Sequence, residues 1–274
     1  MYIRPCKLPV YGIICFEWIR NWVNWAHCLF SKRKSAMELL SRGVFFETED
    51  EKDIAIEFYR KALHEYPQLY LARLGIVRCY LGLLQFDLAK KNAEIYLEKE
   101  PISPEANLYM GSILYHENQI EEAISFLKVS EKYFPANNKE RALAFEYMSE
   151  CHLKLNEFEE AVECFKEHIK IISCCNSLSN DISKKKIRLG ELYYLAGKFN
   201  MALETFSEMP GSVLNNYEVW NNIGTVLWVL GDIEGALYCI KQSLELNPGY
   251  EEAILNVRRI EMALLGIKGE STYC

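Results

Sequence analysis

Two dipeptides in this sequence open like the helix of a zinc-dependent hydrolase, His64-Glu65 and His116-Glu117. That chemistry needs a second histidine one helical turn further on, so that two imidazoles share a metal while the glutamate activates water. The second histidine is missing after both pairs. Cys164 and His168 lie one turn apart, and Cys151 and His152 sit in the preceding helical stretch. Structural zinc takes four ligands at characteristic spacings, and the ten cysteines form no C-x-x-C pair. These residues are therefore expected in the core rather than around a metal. No G-x-S-x-G elbow, phosphate-binding glycine loop or dinucleotide fingerprint occurs. Acidic pairs such as Glu121-Glu122 and Glu159-Glu160 fall at helix starts, where negative charge suits the helix dipole. The sequence thus predicts no catalytic residue, no metal and no cofactor, and a chain that is not an enzyme.

Composition narrows the alternatives. Of 274 residues, 50% are apolar and 25% charged, enough apolar material to offset chain entropy and exclude disorder for the bulk. The net charge of −7 argues against a nucleic-acid binder, which would carry a basic face. The charge is uneven. Residues 1–35 hold six basic side chains and one acid, for +5, whereas the other 25 basic and 37 acidic residues give −12. Such asymmetry marks a segment with its own task. Cysteines inside helical patterns behave as small apolar residues, which favours a reducing, cytoplasmic setting.

The elements are set by a ruler. Pro67, Pro101 and Pro135 are 34 residues apart, as are Ala55, Ala89 and Ala123; Ala161, Ala202 and Ala236 continue the alanine series at 38, 41 and 34. A fixed period of this size means stacked supersecondary units. Within each unit the apolar residues recur at i, i+3, i+4 and i+7, so the elements are helices. Asn118, Asn156, Gly197 and Gly231 interrupt the units midway, predicting two helices joined by a tight turn.

The last unit reads Trp220, Ile223, Gly224, Leu227, Gly231, Ile233, Ala236, Ile240, Ser243, Pro248. These residues stand where a tetratricopeptide repeat has W-x2-L-G-x2-Y, a turn glycine, A-x3-F and a closing proline. Five earlier units carry the same internal pattern, among them Met110, Gly111, Leu114, Ala123, Leu127, Pro135 and Leu189, Gly190, Tyr193, Gly197, Ala202, Phe206. The chain resembles the tetratricopeptide-repeat family over residues ~36–250. The resemblance implies an all-α fold, a right-handed α-solenoid of antiparallel helix pairs. An N-terminal amphipathic helix precedes it and a C-terminal capping helix follows. The expected boundaries are 1–35 for the Trp-rich segment; 36–69, 70–103, 104–137, 142–175, 183–216 and 217–250 for the repeats; and 251–274 for the cap and tail. Small residues on the first helix of a pair and the alanine on the second allow close approach, and large side chains fill the gap as knobs. Two departures from the period, within 136–141 and 174–182, mark insertions.

The resemblance also implies a use. In such repeats the first helix of each pair, here termed the A-helix, lines a concave groove. The corresponding places are Arg78, Tyr109, Tyr115, His116, Tyr147, Glu150, Arg188, Glu191, Tyr194, Asn221, Asn222, Thr225 and Trp228. Aromatic anchors in this set suit a peptide or helix of a partner protein, so the expected role is a scaffold or adaptor. Leu40, Val44 and Leu74 stand where repeats that clamp a C-terminal carboxylate carry Lys and Asn, which argues against that subtype. Residues 13–30 read as a separate helix with Trp18, Trp22 and Trp25 on its apolar arc, followed by Lys32, Arg33 and Lys34. It is expected either to cap the first repeat or bind a partner, or to lie in a membrane interface against anionic head groups over residues 13–34. The membrane reading makes the protein a peripheral assembly factor. A third reading is an accessory module of a glycosyl-transfer system. Self-association through exposed helix faces is a further expected mode, giving a homo-oligomer.

Overall fold

The computed structural model describes residues 30–174, 179–209 and 215–265. Among these residues there are helices and turns and no strand. The chain divides into two compact units, Met1–His116 and Glu117–Cys274.

The first unit holds α1 over 30–48, α2 (Lys52–Glu65), α3 (Tyr70–Gly82), α4 (Phe86–Leu97) and α5 (Pro104–His116). The second holds α6 (Ile120–Tyr133), α7 (Lys139–Lys154), α8 (Phe158–Cys174), α9 (Ser179–Leu195), α10 (Phe199–Ser207), α11 (Tyr217–Val229), α12 (Ile233–Leu246) and α13 (Glu251–Leu264). This is an all-α solenoid of helix pairs, with odd-numbered helices as A-helices and even-numbered ones as B-helices. α1 runs unbroken through position 35, so the described part of the basic segment is helical.

The alanine ruler is the core. Ala55, Ala89, Ala123, Ala161, Ala202 and Ala236 are each fully buried. The small residues on the A-helices are small because ring or branched carbons lie against them. A Cβ added at Gly190 would come within 2.5 Å of the Phe206 ring, and one at Gly224 within 2.5 Å of Ile240. Ser149 takes this place on α7, where its hydroxyl donates to the Ala161 carbonyl at 2.8 Å. The second repeat exchanges the sizes: Val77 stands at the small place and Ala93 at the large one, both fully buried. Total volume is kept, which cores tolerate best.

Every turn from an A-helix to the B-helix of its own pair uses one left-handed residue at the same place. These are Asp50, Leu84, Asn118, Asn156, Gly197 and Gly231, all with positive φ. Glycine and asparagine adopt that conformation readily, which is why four of the six were visible as turn signals. Asp50 tolerates it through its short polar side chain, whereas Leu84 holds it against its preference.

The described residues of both insertions belong to helices and turns of the second unit. At the first, the Asn138 side chain caps α7 by accepting from the Glu140 and Arg141 amides. Arg141 reaches back to donate to the Glu131 and Ala136 carbonyls and to the Glu131 carboxylate at 2.5 Å. At the second, the extra residues lengthen the flanking helices: α8 and α9 each have 17 residues.

Candidate functional site

In the first unit the groove places carry a bonded polar cluster. Arg78 on α3 donates in parallel to Glu47 at the end of α1, Nε to Oε1 at 2.6 Å and Nη2 to Oε2 at 2.8 Å. The Tyr59 hydroxyl of α2 donates to the same carboxylate, and Arg78 also bonds the Tyr109 side chain on α5. Burial works to raise the Glu47 carboxyl, but the hydrogen bonds from Arg78 and Tyr59 outweigh it and hold the pKa below 4.5. The Tyr59 ring itself lies between two A-helices: a Cβ on Gly43 or on Gly75 would approach it to 2.5 Å. Tyr115 packs edge-on against His116, and His116 stacks on Phe86 of α4 with ring centroids 4.7 Å apart.

The second unit repeats this construction on a larger scale. Arg188 of α9 bridges Glu150 of α7 at 3.0 Å and Glu191 one turn along at 3.2 Å. The second Glu191 oxygen accepts from the Asn222 amide of α11 at 3.1 Å. Lys185 pairs with Glu146 of α7, whose other oxygen lies 3.8 Å from His168 Nδ1. Beneath this polar chain opens a cleft of about 210 Å³, lined by Arg188, Glu191, Tyr194, Leu195, Phe206, Asn222, Thr225 and Val226. Its lining combines apolar side chains with charged groups and an amide, the usual composition of a recognition pocket.

Five of the sequence-chosen residues, Arg188, Glu191, Tyr194, Asn222 and Thr225, are thus brought to one cleft. Tyr147 and Trp228 are half-buried. Asn221 is placed differently: it is buried, and its side-chain oxygen accepts from Asn256 of α13 at 3.0 Å. The thirteenth helix covers it. Lys32, Arg33 and Lys34 are exposed on the first turns of α1. Trp18, Trp22 and Trp25 lie outside the described residues. Participants that were not selected as site residues from the sequence include Glu47, Tyr59, Glu146, Lys185 and Asn256. The ruler could have found two of them. Glu47 stands at the place of Tyr115, Tyr194 and Trp228, and Asn256 lies 34 residues after Asn222.

The nucleophile candidates are muted. Burial pushes the Cys79 thiol up to about 12, and the Cys151 and Cys164 thiols up to about 11, where little thiolate exists at neutral pH. His168 is buried with Nδ1 2.8 Å from the Ala142 carbonyl, and His152 Nδ1 lies 2.6 Å from Glu157. Both act as packing and bonding groups of the helix hairpin. Among the described residues no group of three or more His, Cys, Asp or Glu side chains could hold a metal, and no helix is long and apolar enough to cross a membrane.

Comparison with known proteins agrees with this geometry. Residues 74–138 and 217–250 each match a tetratricopeptide-repeat family model. A curated relative, the BBSome complex member BBS4 of Bos taurus, is 23% identical over 216 residues, covering 77% of this chain and 38% of its own length. The chain therefore spans well under half of that relative. Among solved structures, YrrB, described as a TPR protein with an unusual peptide-binding site, superposes with a TM-score of 0.63 at 13% identity, covering 73% of this chain and 97% of its own. PilF of Pseudomonas aeruginosa gives 0.63 at 16% identity, covering 84% and 99%. At such identities the likeness speaks for the fold. The alanine ruler, the paired helices and the two matched stretches together show that this chain carries tetratricopeptide repeats.

Proposed function

We propose that this chain is a non-catalytic adaptor that holds a peptide or helix of a partner protein on the inner faces of its A-helices, in keeping with the protein–protein contacts that tetratricopeptide repeats in general mediate. The second unit supplies the main anchor. The observation carrying this reading is the α9–α11 cleft, where five residues chosen by repeat position alone line one opening. Its chemistry suits one apolar side chain of the partner against Phe206, Leu195 and Val226. Arg188, Glu191 and Asn222 would meet the partner's backbone and polar groups around it. Tyr194 offers a rigid amphipathic edge at small entropic cost. No bond is made or broken in this reading.

The test is selection from a phage-displayed random peptide library on the full chain. Enriched peptides are then titrated against the parent, Tyr194→Ala and Asn222→Ala. An anchor of this kind loses about 1–3 kcal/mol on truncation, so affinity falls at least fivefold. Peptides that bind all three proteins equally would refute the assignment.

A further inference from the structure

α13 is the last A-helix among the described residues. One side of it, with Ala253, Asn256 and Ile260, is buried, and Ala253 and Ile260 share a core cluster with Ala236 and Ile240 of α12. The opposite side is open. Leu255 and Met262 are 48% and 39% exposed there, and Glu251, Glu252, Arg258 and Arg259 are exposed around them. At 100° per residue these are the six residues of α13 within about 60° of Leu255.

A B-helix paired with α13 as α12 is with α11 does not suit this helix. Gly224 lies against Ile240 of α12, and Leu227 packs on the same cluster. Thirty-four residues further on, these places hold Arg258 and Glu261.

The charges of the open side have an order. Two acids stand four and three residues before Leu255, and two arginines stand three and four residues after it. Acid and base are two turns or about 10 Å apart, too far to pair within one helix. No carboxylate among the described residues pairs with either arginine. Arg259 reaches the Asn256 side-chain oxygen at 3.5 Å. Glu252 accepts from the Tyr250 hydroxyl at 2.6 Å through one oxygen, which leaves the other for a further donor.

A pattern of this kind is complementary to itself when turned end for end. We propose that α13 is a homodimer contact, in which two copies pack this helix antiparallel about a two-fold axis at Leu255. In an isologous pair residue i meets j while j meets i. Glu251 then meets Arg258 of the second copy and Glu252 meets Arg259, each on a matching flank of the helix. The four resulting pairs surround a contact between the two Leu255 side chains. Met262 meets exposed Pro248 of the second copy, since both lie seven residues from Leu255. A parallel arrangement would bring like charges together. A membrane or a nucleic acid would answer the arginines and be repelled by the acids. One helix face is small beside the about 1,200 Å² that stable interfaces exceed, so the association is weak and reversible. A dimer of this kind carries two α9–α11 clefts, and a partner with two binding segments gains avidity from it.

The test is sedimentation equilibrium of the full chain in reducing buffer, up to about 1 mM. Three variants are compared with the parent: Leu255→Asp, Glu251→Arg with Glu252→Arg, and Arg258→Glu with Arg259→Glu. The parent should show a monomer–dimer equilibrium that weakens as salt is raised. Each variant alone should dimerise at least tenfold more weakly. An equimolar mixture of the two charge-reversed variants should recover the dimer, because all four pairs return with their signs exchanged; recovery also shows that both variants fold. The register is read from single cysteine substitutions under mild oxidation. Leu255→Cys should give a disulfide joining position 255 of both chains in a peptide map. Met262→Cys, about 21 Å from its own copy across the axis, should give none joining position 262 to itself. A monomer at every concentration overturns the proposal. A dimer that Leu255→Asp and the charge reversals leave intact uses another surface and overturns it equally. So does association in the mixture without the disulfide at position 255, which would be attraction without the two-fold contact.

Discussion

Gly75→Ala should destabilise this protein although it places a better helix former in the middle of α3. Alanine in a helix interior is worth about 1 kcal/mol over glycine. Against that stands the Tyr59 ring, whose carbons would lie 2.5 Å from the new Cβ. The ring has little room to withdraw, because a Cβ built on Gly43 of α1 would also come within 2.5 Å of it and its hydroxyl is held by Glu47. Forcing a methyl into such a site costs about 1–3 kcal/mol, so the net loss is up to about 2 kcal/mol. Urea unfolding followed by circular dichroism measures it. In a Tyr59→Leu background the obstacle is gone, and Gly75→Ala should become neutral or stabilising by up to about 1 kcal/mol. The reversal of sign is the signature, since it isolates the contact from the propensity. If Gly75→Ala stabilises the protein with Tyr59 intact, the account of how α1 and α3 grip that ring is refuted.

Other outcomes follow from the same structure. Leu84 is exposed with φ 57°; a left-handed residue with a Cβ costs about 1–2 kcal/mol and glycine's added chain entropy returns part of it. Leu84→Gly should therefore stabilise by about 0.5–1 kcal/mol in thermal melts, while Gly231→Ala at the equivalent turn should destabilise. Glu47 has a folded pKa below its ordinary value, so its contribution is full above about pH 4.5 and fades as pH falls through the lower folded value. Glu47→Gln should be less stable at neutral pH and lose less on acidification, read from melts across the acid range. Cys79 and Cys151 are buried with raised thiol pKa values. A disulfide-exchange reagent at neutral pH should leave them unmodified in peptide maps until denaturant is added, while exposed Cys174 reacts at once.

The fold was largely legible because its constraints are local and repeated. An alanine that must admit a neighbouring helix recurs at a fixed spacing, and so does the proline that ends the pair. Turns carrying Gly or Asn announced themselves. Those at Asp50 and Leu84 did not, because the repeat register imposes the left-handed residue there whatever its preference. The insertions were visible as breaks in period, but their resolution depends on the Arg141 bonds across α6 and α7 and on longer α8 and α9, which no local pattern encodes. The cleft was legible at the level of which residues face one side. Which of them bond one another was not: Asn221 is occupied by Asn256, and Arg188 is tied to two carboxylates. Those pairings depend on the stagger between neighbouring A-helices.

The central claim is that partners are held on the inner faces of the A-helices in the second unit. The most direct test places a photo-crosslinking phenylalanine at Tyr194, in the α9–α11 cleft, or at Tyr238, exposed on the B-helix α12, in the cell that makes the protein. The account predicts a discrete protein adduct from position 194 that is lost with Asn222→Ala, and none from position 238. Adducts from 238 alone, or from 194 with no response to Asn222→Ala, would contradict it.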